Sequence, residues 1–528
     1  MSNGEATPPN AKRLLWAGFM AILAAGVGYS VRAGILTQWA NEFGFTMTEL
    51  GTITGGGLTG FGVVIILSSL IADKVGYGKL MILAFLLHLV SAGLTFYAPT
   101  AFASGGKEAA YNCLFWGMFV FAIGNGLCEA VVNPLTATLF PNNKTHYLNI
   151  LHAGWPAGLV AGSIASALMA ATLDESGNVI RAAVDWKIQM SLFLIPVVLY
   201  GGMLMGQKFP KSEAADAGVT LGEMIGTLFA PLMIFLLIIH AMVGFVELGT
   251  DSWIAKITGA IMADPQKGLM LFAYTSMLMF VLRFFAGPIV HRISPLGLLF
   301  TSAVLGAVGL TLLGDATTVT ACIVAASVYA LGKTFLWPTM LAVVSEQFPK
   351  GGAVAIGMLG GVGMLSAGLL GGPAIGFMQD YHAADKLKET SEVAYDRYKA
   401  AEESSFLNYS TVGLDGAKVG TMEDGGKELA RVETLLAETG ATDANHAALS
   451  TWWGKAETEA EDEGKKVKEA GLHGGREALK MTAYVPAAMA VCYLLLILLF
   501  KAKGGYKAAS FDGGTLTPEE EEILATPK

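Results

Sequence analysis

Long apolar stretches recur from one end of this chain to the other. A helix needs roughly 20 mostly apolar residues to cross a bilayer, where only helices and closed barrels satisfy their backbone hydrogen bonds. Only 15% of the residues are charged, whereas a soluble domain has about 25%. The sequence therefore predicts an all-α, multi-pass membrane protein. Twelve spans are predicted, near residues 14–38, 50–72, 79–98, 112–140, 147–172, 187–207, 229–251, 267–290, 296–314, 319–346, 353–378 and 481–500.

The positive charges of the short loops predict how these spans are oriented. Loops rich in Lys and Arg face the cytoplasm. We therefore expect both termini in the cytoplasm and a location in the cell (inner) membrane. The net charge of −9 comes with no basic patch, so nucleic acid is not an expected partner. The loops on the side of the termini hold Lys12, Arg13, Lys74, Lys79, Lys144, Lys208, Lys211, Arg292, Lys350, Lys501 and Lys503.

Polar segments divide the chain into two sets of six spans. The stretch 380–480 is charged and is expected outside the membrane, between spans 11 and 12, with solvated helices such as 457–469. It is interpreted as a surface cap, or alternatively as a segment that docks a partner or captures substrate. The predicted organisation is an N-terminal tail (1–13), a first half (14–207), a linker (208–228), a second half (229–500, with the insertion 380–480) and a C-terminal tail (501–528).

Sequence echoes indicate that the two halves are related. Span 4 contains Asn133-Pro134, and span 10 contains Trp337-Pro338, 204 residues later. The loop ADKVGYGK after span 2 has a counterpart in GPIVHRISPLG after span 8. Parallel repeats of this kind occur in secondary transporters, with the binding site between the halves.

At this point the chain resembles the major facilitator superfamily. In the loop after span 2, Asp73, Lys74 and Gly76 match the motif of that superfamily, whereas Ser69 and Gly78 depart from it. The resemblance implies twelve transmembrane helices in two six-helix pseudo-symmetric halves. It also implies that this loop acts as a conformational latch, and it places Arg283 in the inner gate.

Spans 4 and 5 are similar to the fucose–proton symporter branch of the superfamily. The matching residues are a glutamate, Asn-Pro and Leu-Asn. The fucose symporters have an aspartate in span 1, where this chain has Arg32 and Ala33. The resemblance implies sugar transport coupled to protons. The matches are Glu129, Asn133, Pro134, Leu148 and Asn149.

Four charges stand out within the predicted spans: Arg32, Glu129, Glu247 and Lys333. A charge at mid-membrane costs about 2.5–3.5 kcal/mol on insertion scales, so each needs a partner, a cavity or a function. The resemblance implies that spans 1, 4, 7 and 10, which carry these charges, line a central cavity. The offset of 204 residues relates Glu129 to Lys333.

Glu129 is the predicted proton carrier, with Glu247 as a second candidate. Asn125, Glu129 and Asn133 recur every four residues and share one helix face. The two asparagines are predicted to bind substrate. The alternative is that Glu129 forms a fixed ion pair with Lys333 or Arg32.

Further residues are candidates for substrate binding. Arg32 could bind a carboxylate or phosphate of the substrate in bidentate fashion. Alternatively, it could serve as the counter-ion of a buried acid. The same two roles, substrate binding or ion pairing, are considered for Lys333. Trp337 could stack on a sugar ring. His152 is grouped with these residues, with packing near the interface as the alternative.

The favoured function is a proton-coupled importer of a sugar or polyol. The alternatives are an organic-anion carrier that uses Arg32 and Lys333, and a membrane receptor or scaffold that uses the insertion. The sequence contains no Walker loop or enzyme constellation, and no metal or cofactor is expected. The expected partners are a small-molecule substrate, a proton and the lipid bilayer, and the expected state is a monomer.

Overall fold

The computed structural model describes residues 8–45, 47–55, 57–170, 172–173, 179–439 and 444–509. It confirms an all-α architecture with two short β-hairpins. The predicted count of twelve spans stays a prediction, because several helices run on through a turn. Within the described residues, nine helical segments are long and apolar enough to cross a membrane: Ala11–Leu36, Thr52–Val75, Tyr77–Leu139, Trp186–Leu204, Pro231–Ile261, Ala286–Asp315, Val319–Gln347, Pro349–Thr390 and Ala460–Ala502.

The described residues of the first half form eight α-helices and one small hairpin. In chain order these are α1 (Ala11–Phe43), α2 (Met47–Gly55), α3 (Gly57–Val75), α4 (Tyr77–Leu139), α5 (Lys144–His152), α6 (Gly154–Met169), β1 (Thr172–Leu173), β2 (Val179–Arg181), α7 (Trp186–Ser191) and α8 (Leu194–Leu204). The two strands are antiparallel, with Thr172 opposite Arg181.

The linker and the second half contain the remaining elements. They are α9 (Glu213–Asp216), α10 (Leu221–Thr227), α11 (Pro231–Gly244), α12 (Thr250–Ile261), α13 (Pro265–Arg283), α14 (Ala286–Asp315), α15 (Val319–Lys333), α16 (Leu336–Gln347), α17 (Gly352–Ser366), α18 (Gly372–Thr390), α19 (Glu392–Tyr398), β3 (Ser404–Phe406), β4 (Tyr409–Thr411), α20 (Gly416–Asp424), α21 (Lys427–Thr439), α22 (Ala444–Ala456), α23 (Ala460–Thr482) and α24 (Tyr484–Ala502).

Helix α4 folds back on itself at Gly106, where the backbone has φ 69°. This left-handed conformation favours glycine, which has no Cβ to clash. The two arms of α4 are joined by hydrogen bonds, such as that from Ser91 Oγ to the Gly117 oxygen at 2.7 Å. Element α4 therefore consists of two antiparallel helical arms of the first half that meet at Gly106.

The backbone supports the relation between the halves that the sequence echoes indicate. Gly76 has φ 92° between α3 and α4, and Ser294 has φ 65° at a break inside α14. Both lie in the loops that the sequence comparison pairs with each other. The two halves therefore place a left-handed turn at corresponding positions.

Small residues allow α1 and α6 to pack closely. A Cβ atom added at Gly158 would lie 2.4 Å from the Leu23 oxygen, and one at Gly154 would lie 2.5 Å from the Phe19 oxygen. Such distances are below van der Waals contact, so only glycine fits without a shift of the backbone. Small residues permit the same close approach between other membrane helices.

Two ends of the molecule can be distinguished. At the linker end, Asn10 donates to the Lys208 oxygen at 3.0 Å, and Gln347 donates to the Lys507 oxygen at 2.7 Å. The described residues nearest the two termini thus lie at the same end. The segments 1–7 and 510–528 of the predicted tails lie outside the described residues. Which side of the membrane the linker end faces stays a prediction.

The described residues of the segment 380–480 (380–439 and 444–480) form a helical layer at the opposite end, here called the insertion end. Helices α18 and α23 extend into this layer, pack on each other and enclose a small apolar core. That core includes Leu387, Tyr398 and Val467. The predicted solvated helix 457–469 overlaps the first turns of α23. The role of this layer stays open.

Candidate functional site

A cavity lies between the two halves, with about 490 Å³ of empty space that includes volume open to solvent. Both halves contribute side chains to its wall, and the wall combines aromatic rings, amides and charged groups. The lining residues are Ala21, Ile22, Ala25, Phe61, Asn125, Cys128, Glu129, His152, Trp155, Glu247, Leu248, Arg283, Trp337 and Met364.

Glu129 faces this cavity from the second arm of α4. Its Oε2 atom accepts a hydrogen bond from Asn133 Nδ2 at 2.7 Å, and His152 Nε2 lies 4.0 Å away. Asn133 Oδ1 is in turn 2.8 Å from His152 Nε2. Within the described residues, no lysine or arginine approaches the Glu129 carboxylate within 4.0 Å. Of the predicted stripe, Asn125 and Glu129 line the cavity, and Asn133 is bonded to Glu129 without lining it.

Arg283 joins the two halves through carbonyl groups that prolines leave free. Proline has no N–H, so it cannot bond to the carbonyl four residues earlier in a helix. Pro156 leaves the His152 oxygen free in this way, and Pro338 leaves the Thr334 oxygen free. Arg283 donates to His152 through Nη1 at 2.5 Å and to Thr334 through Nε at 2.9 Å.

The remaining donor of Arg283 binds Glu247. Nη2 lies 3.0 Å from Glu247 Oε1, and both side chains are almost fully buried. Glu247 sits on a π-helical turn, Phe245–Gly249, between α11 and α12. Such turns are rare and are frequent at functional sites. Glu247 Oε2 is buried and has no hydrogen-bond partner in the described part of the chain.

Lys333 forms an ion pair with Asp251. Lys333 is fully buried, and Asp251 lies one turn beyond Glu247. The pair neutralises a lysine that would be costly alone in a membrane. The alternative in which Glu129 forms a fixed ion pair with Lys333 is therefore not seen, because the partner of Lys333 is Asp251. Sequence analysis did not select Asp251, although its spacing from Glu247 was a signal.

Arg32 is buried away from the residues that line the cavity. Its guanidinium carbon lies 3.8 Å from the centroid of the Phe121 ring, and Nη1 donates to the Gly28 oxygen at 3.3 Å. Nε and Nη2 have no hydrogen-bond partner in the described residues. Neither predicted arrangement is seen, because Arg32 does not line the cavity and pairs with no carboxylate of the described part of the chain.

Two further predicted substrate residues, Trp337 and His152, reach the cavity. Trp337 lines it and packs against His240, with ring centroids 4.6 Å apart. His152 lines it from the end of α5. Trp155, which was not selected as a site residue from the sequence, also lines the cavity. Two aromatic rings and several polar groups therefore share one wall.

A second polar chain supports Asn125 from behind. His88 Nε2 lies 3.0 Å from Asn125 Oδ1, and His88 Nδ1 lies 2.8 Å from the Tyr200 hydroxyl. His88 and Tyr200 are fully buried. Sequence analysis missed both residues. The signal was a single histidine within the apolar stretch of span 3.

Three of the four predicted gate residues lie at the linker end. Asp73 is packed beside the hydroxyls of Ser212 and Tyr77, Lys74 is exposed, and Gly76 makes the left-handed turn after α3. Arg283 is instead found in the cavity wall. Its predicted role in gating is not tested by this placement.

The halves are also in contact at the linker end. Asn149 Nδ2 donates to Thr339 Oγ1 at 3.3 Å, and the Gly287 amide donates to His146 Nδ1 at 3.3 Å. Lys144 binds Glu213 of the linker at 2.9 Å. In the described residues, no group of three His, Cys, Asp or Glu side chains is arranged to hold a metal ion.

A helical membrane protein with two related halves, and between them a cavity whose largely apolar wall carries a few charged and amide groups, has the architecture of a membrane transporter. The family model of the Major Facilitator Superfamily matches residues 18–372, and the chain belongs to this superfamily. Its members are transporters rather than enzymes. The predicted superfamily is thereby confirmed. A comparison with curated proteins found no match.

Solved structures of this superfamily share the fold. The fucose:proton symporter FucP of E. coli is 15% identical, with a TM-score of 0.57, 71% of this chain covered and 93% of that chain. A bacterial homologue of the human lysosomal transporter Spinster, inward-facing and unoccupied, is 13% identical, with a TM-score of 0.60 and coverages of 96% and 100%. The human organic anion transporter MFSD10 is 13% identical, with a TM-score of 0.53 and coverages of 72% and 95%. These identities show the fold alone.

Proposed function

We propose that this protein is a secondary active transporter that works by alternating access and carries a sugar or related small polar solute together with a proton. The observation that carries the proposal is Glu129, a carboxylate in the cavity wall that is bonded to an amide and is not paired with a lysine or arginine in the described residues. The solved structures of similar fold include a fucose:proton and a D-xylose-proton symporter.

The charges around the cavity favour a neutral substrate. Arg283 is bound to Glu247, and Lys333 is bound to Asp251. An anionic substrate would have to compete with these carboxylates. Trp155 and Trp337 instead offer flat faces for a sugar ring, and Asn125 offers an amide for hydroxyl groups. The organic-anion alternative needed Arg32 and Lys333 as binding groups and is less well supported.

Glu129 is the proposed site of proton loading. A charged side chain at mid-membrane costs about 2.5–3.5 kcal/mol, and binding a proton removes that charge. Proton release to the opposite side would restore it after the halves have moved. Glu247 is a second candidate, but its bond to Arg283 ties its charge to a fixed partner.

The proposal includes the setting in which the cycle runs. The linker end, where Asp73, Lys74 and Gly76 lie, is taken as the cytoplasmic gate, and both termini are taken to be cytoplasmic. The protein is placed in the cell (inner) membrane as a monomer. These assignments rest on the positive charges of the short loops and on the superfamily resemblance.

Uptake into reconstituted vesicles tests the proposal. Fucose, D-xylose and a panel of neutral sugars would be compared with sugar acids while internal pH is recorded. Sugar uptake with acidification of the lumen is expected, and Glu129→Gln should abolish the acidification. Glu389→Gln, which neutralises an exposed carboxylate of the insertion, is the matched control.

Three outcomes would contradict the proposal. Full proton coupling in Glu129→Gln would remove Glu129 as the carrier. Uptake of sugar acids alone would favour the organic-anion function. The absence of uptake for every solute in a sealed, correctly folded preparation would favour a receptor or scaffold.

A further inference from the structure

We propose that His88 and Tyr200 fix the orientation of the Asn125 amide, so that its NH₂ group points into the cavity and selects substrates with a hydrogen-bond acceptor at that position. The inference deepens the proposed function and rests on it for the identity of the substrate. His88 and Tyr200 act through Asn125 and are positioning residues.

The first step is the contact between His88 and Asn125. Nε2 of His88 lies 3.0 Å from Oδ1 of Asn125, between the two arms of α4. An amide oxygen only accepts hydrogen bonds, so Nε2 must carry the proton. The Asn125 NH₂ group, held on the other side of the same amide, makes no hydrogen bond to the described protein. Asn125 lines the cavity, and this donor is therefore available to a ligand.

The second step is the contact between His88 and Tyr200. Nδ1 of His88 lies 2.8 Å from the Tyr200 hydroxyl, which can donate to it from α8. A neutral imidazole has one donor and one acceptor nitrogen, and a hydrogen bond at one nitrogen sets the tautomer at the other. The Tyr200 proton thus holds Nδ1 as the acceptor and leaves Nε2 as the donor.

The third step is the close packing that holds the His88 and Tyr200 side chains in these hydrogen bonds. His88 and Tyr200 are fully buried. A Cβ atom added at Gly124, next to Asn125, would lie 2.9 Å from His88 Cδ2. Glycine at this position lets the His88 imidazole, on the first arm of α4, approach the second arm closely.

The arrangement resembles that of the second asparagine of the stripe. Asn133 Oδ1 faces His152 Nε2 at 2.8 Å, and its Nδ2 donates to Glu129. Each asparagine that flanks Glu129 is therefore held at its oxygen by a histidine. For Asn133 the freed NH₂ group binds the carboxylate. For Asn125 it is left for an acceptor on the substrate, such as a sugar hydroxyl or ring oxygen.

The tautomer of His88 is the most direct test. Nitrogen-15 NMR of the histidine-labelled full-length protein, with His88 assigned by its loss in His88→Gln, should show a proton on Nε2. Tyr200→Phe removes the group that holds Nδ1 and should yield a mixture of tautomers. A proton on Nδ1 alone in the unaltered protein would overturn the proposal. This measurement requires no substrate.

Kinetics test the consequence for specificity. With the sugar that gives uptake, starting from fucose and D-xylose, His88→Leu should raise KM about tenfold, as expected for a lost hydrogen bond, and leave kcat within about twofold. His88→Gln, which keeps a donor, should recover most of the loss. Removal of the sugar hydroxyl that binds Asn125 should raise KM less in His88→Leu than in the unaltered protein. Removal of any other hydroxyl should raise KM equally in both proteins.

Ser91→Ala is the matched control, because it removes a buried hydrogen bond between the same two arms of α4 without touching Asn125. An unchanged KM in His88→Leu, or an equal rise in Ser91→Ala, would overturn the proposal. If no sugar is taken up but Nε2 carries the proton, the proposed function fails while the orientation of Asn125 stands.

Discussion

Arg283 of the second half donates a hydrogen bond to the main-chain oxygen of His152 in the first half, at 2.5 Å. That oxygen is free because Pro156, four residues later, has no N–H. The same guanidinium also satisfies the oxygen freed by Pro338 and the carboxylate of Glu247. One side chain thus connects three helices and both halves at the cavity wall.

Replacement of this arginine by lysine should be poorly tolerated. Arg283→Lys keeps the charge opposite Glu247, but an ammonium group lacks the planar fork that reaches all three acceptors. Each buried carbonyl left without a donor costs roughly 1–3 kcal/mol. We expect a lower Tm in detergent and at least a tenfold loss of transport rate. Arg292→Lys, at an exposed position, should change neither. Full transport by Arg283→Lys would show that the carbonyl bonds are dispensable.

The ion pair of Lys333 and Asp251 should behave as a unit. Lys333→Met leaves Asp251 without its cation and should destabilise the protein by about 3–5 kcal/mol, as for other buried pairs. The double variant with Asp251→Asn should recover most of this loss. Unfolding followed in detergent micelles measures both effects. Additive losses in the double variant would argue against a coupled pair, and would leave Lys333 free to bind an anionic substrate.

The contact of α1 with α6 should depend on Gly158. Gly158→Ala places a Cβ atom 2.4 Å from the Leu23 oxygen, a backbone atom that cannot rotate away. Overpacking of this kind costs about 1–3 kcal/mol, so Tm should fall. Gly202→Ala is the control, since nothing lies within 4 Å of its added Cβ and alanine favours a helix by up to about 1 kcal/mol. Equal values of Tm for the two variants would refute the close packing.

The ion pair between Lys144 and Glu213 should hold the linker end closed. Lys144→Met removes this 2.9 Å contact, and a change of ~1 kcal/mol would shift the balance of states about fivefold. A cysteine at Thr339, where the halves touch, should then react faster with a membrane-impermeant thiol reagent. The background would lack Cys113, Cys128, Cys322 and Cys492. Lys350→Met, exposed at the same end, is the control. Identical labelling in both variants would rule out this role for Lys144.

Much of the site could be anticipated from local pattern. Asn125, Glu129 and Asn133 were expected on one face because a helix repeats every 3.6 residues. In the structure Asn125 and Glu129 line the cavity, and Asn133 is bonded to Glu129. The partner of Lys333 could not be anticipated in the same way. Repeat symmetry relates Glu129 and Lys333 as equivalent positions, and equivalent positions lie on opposite sides of the symmetry axis. The equivalence of two positions in the repeats therefore does not predict that their side chains are in contact.

The amino-acid sequence by itself determined that this chain crosses a membrane as helices in two related halves, because the length of an apolar run and the spacing of its polar residues are local properties. It also identified four of the buried charges, Arg32, Glu129, Glu247 and Lys333. Only the tertiary structure decided how those charges pair and that Arg32 does not line the cavity. It also decided that Arg283 links the two halves through its hydrogen bonds. Each of these depends on helices that are distant in sequence and on carbonyl groups that prolines expose, so no single stretch of sequence contains the information.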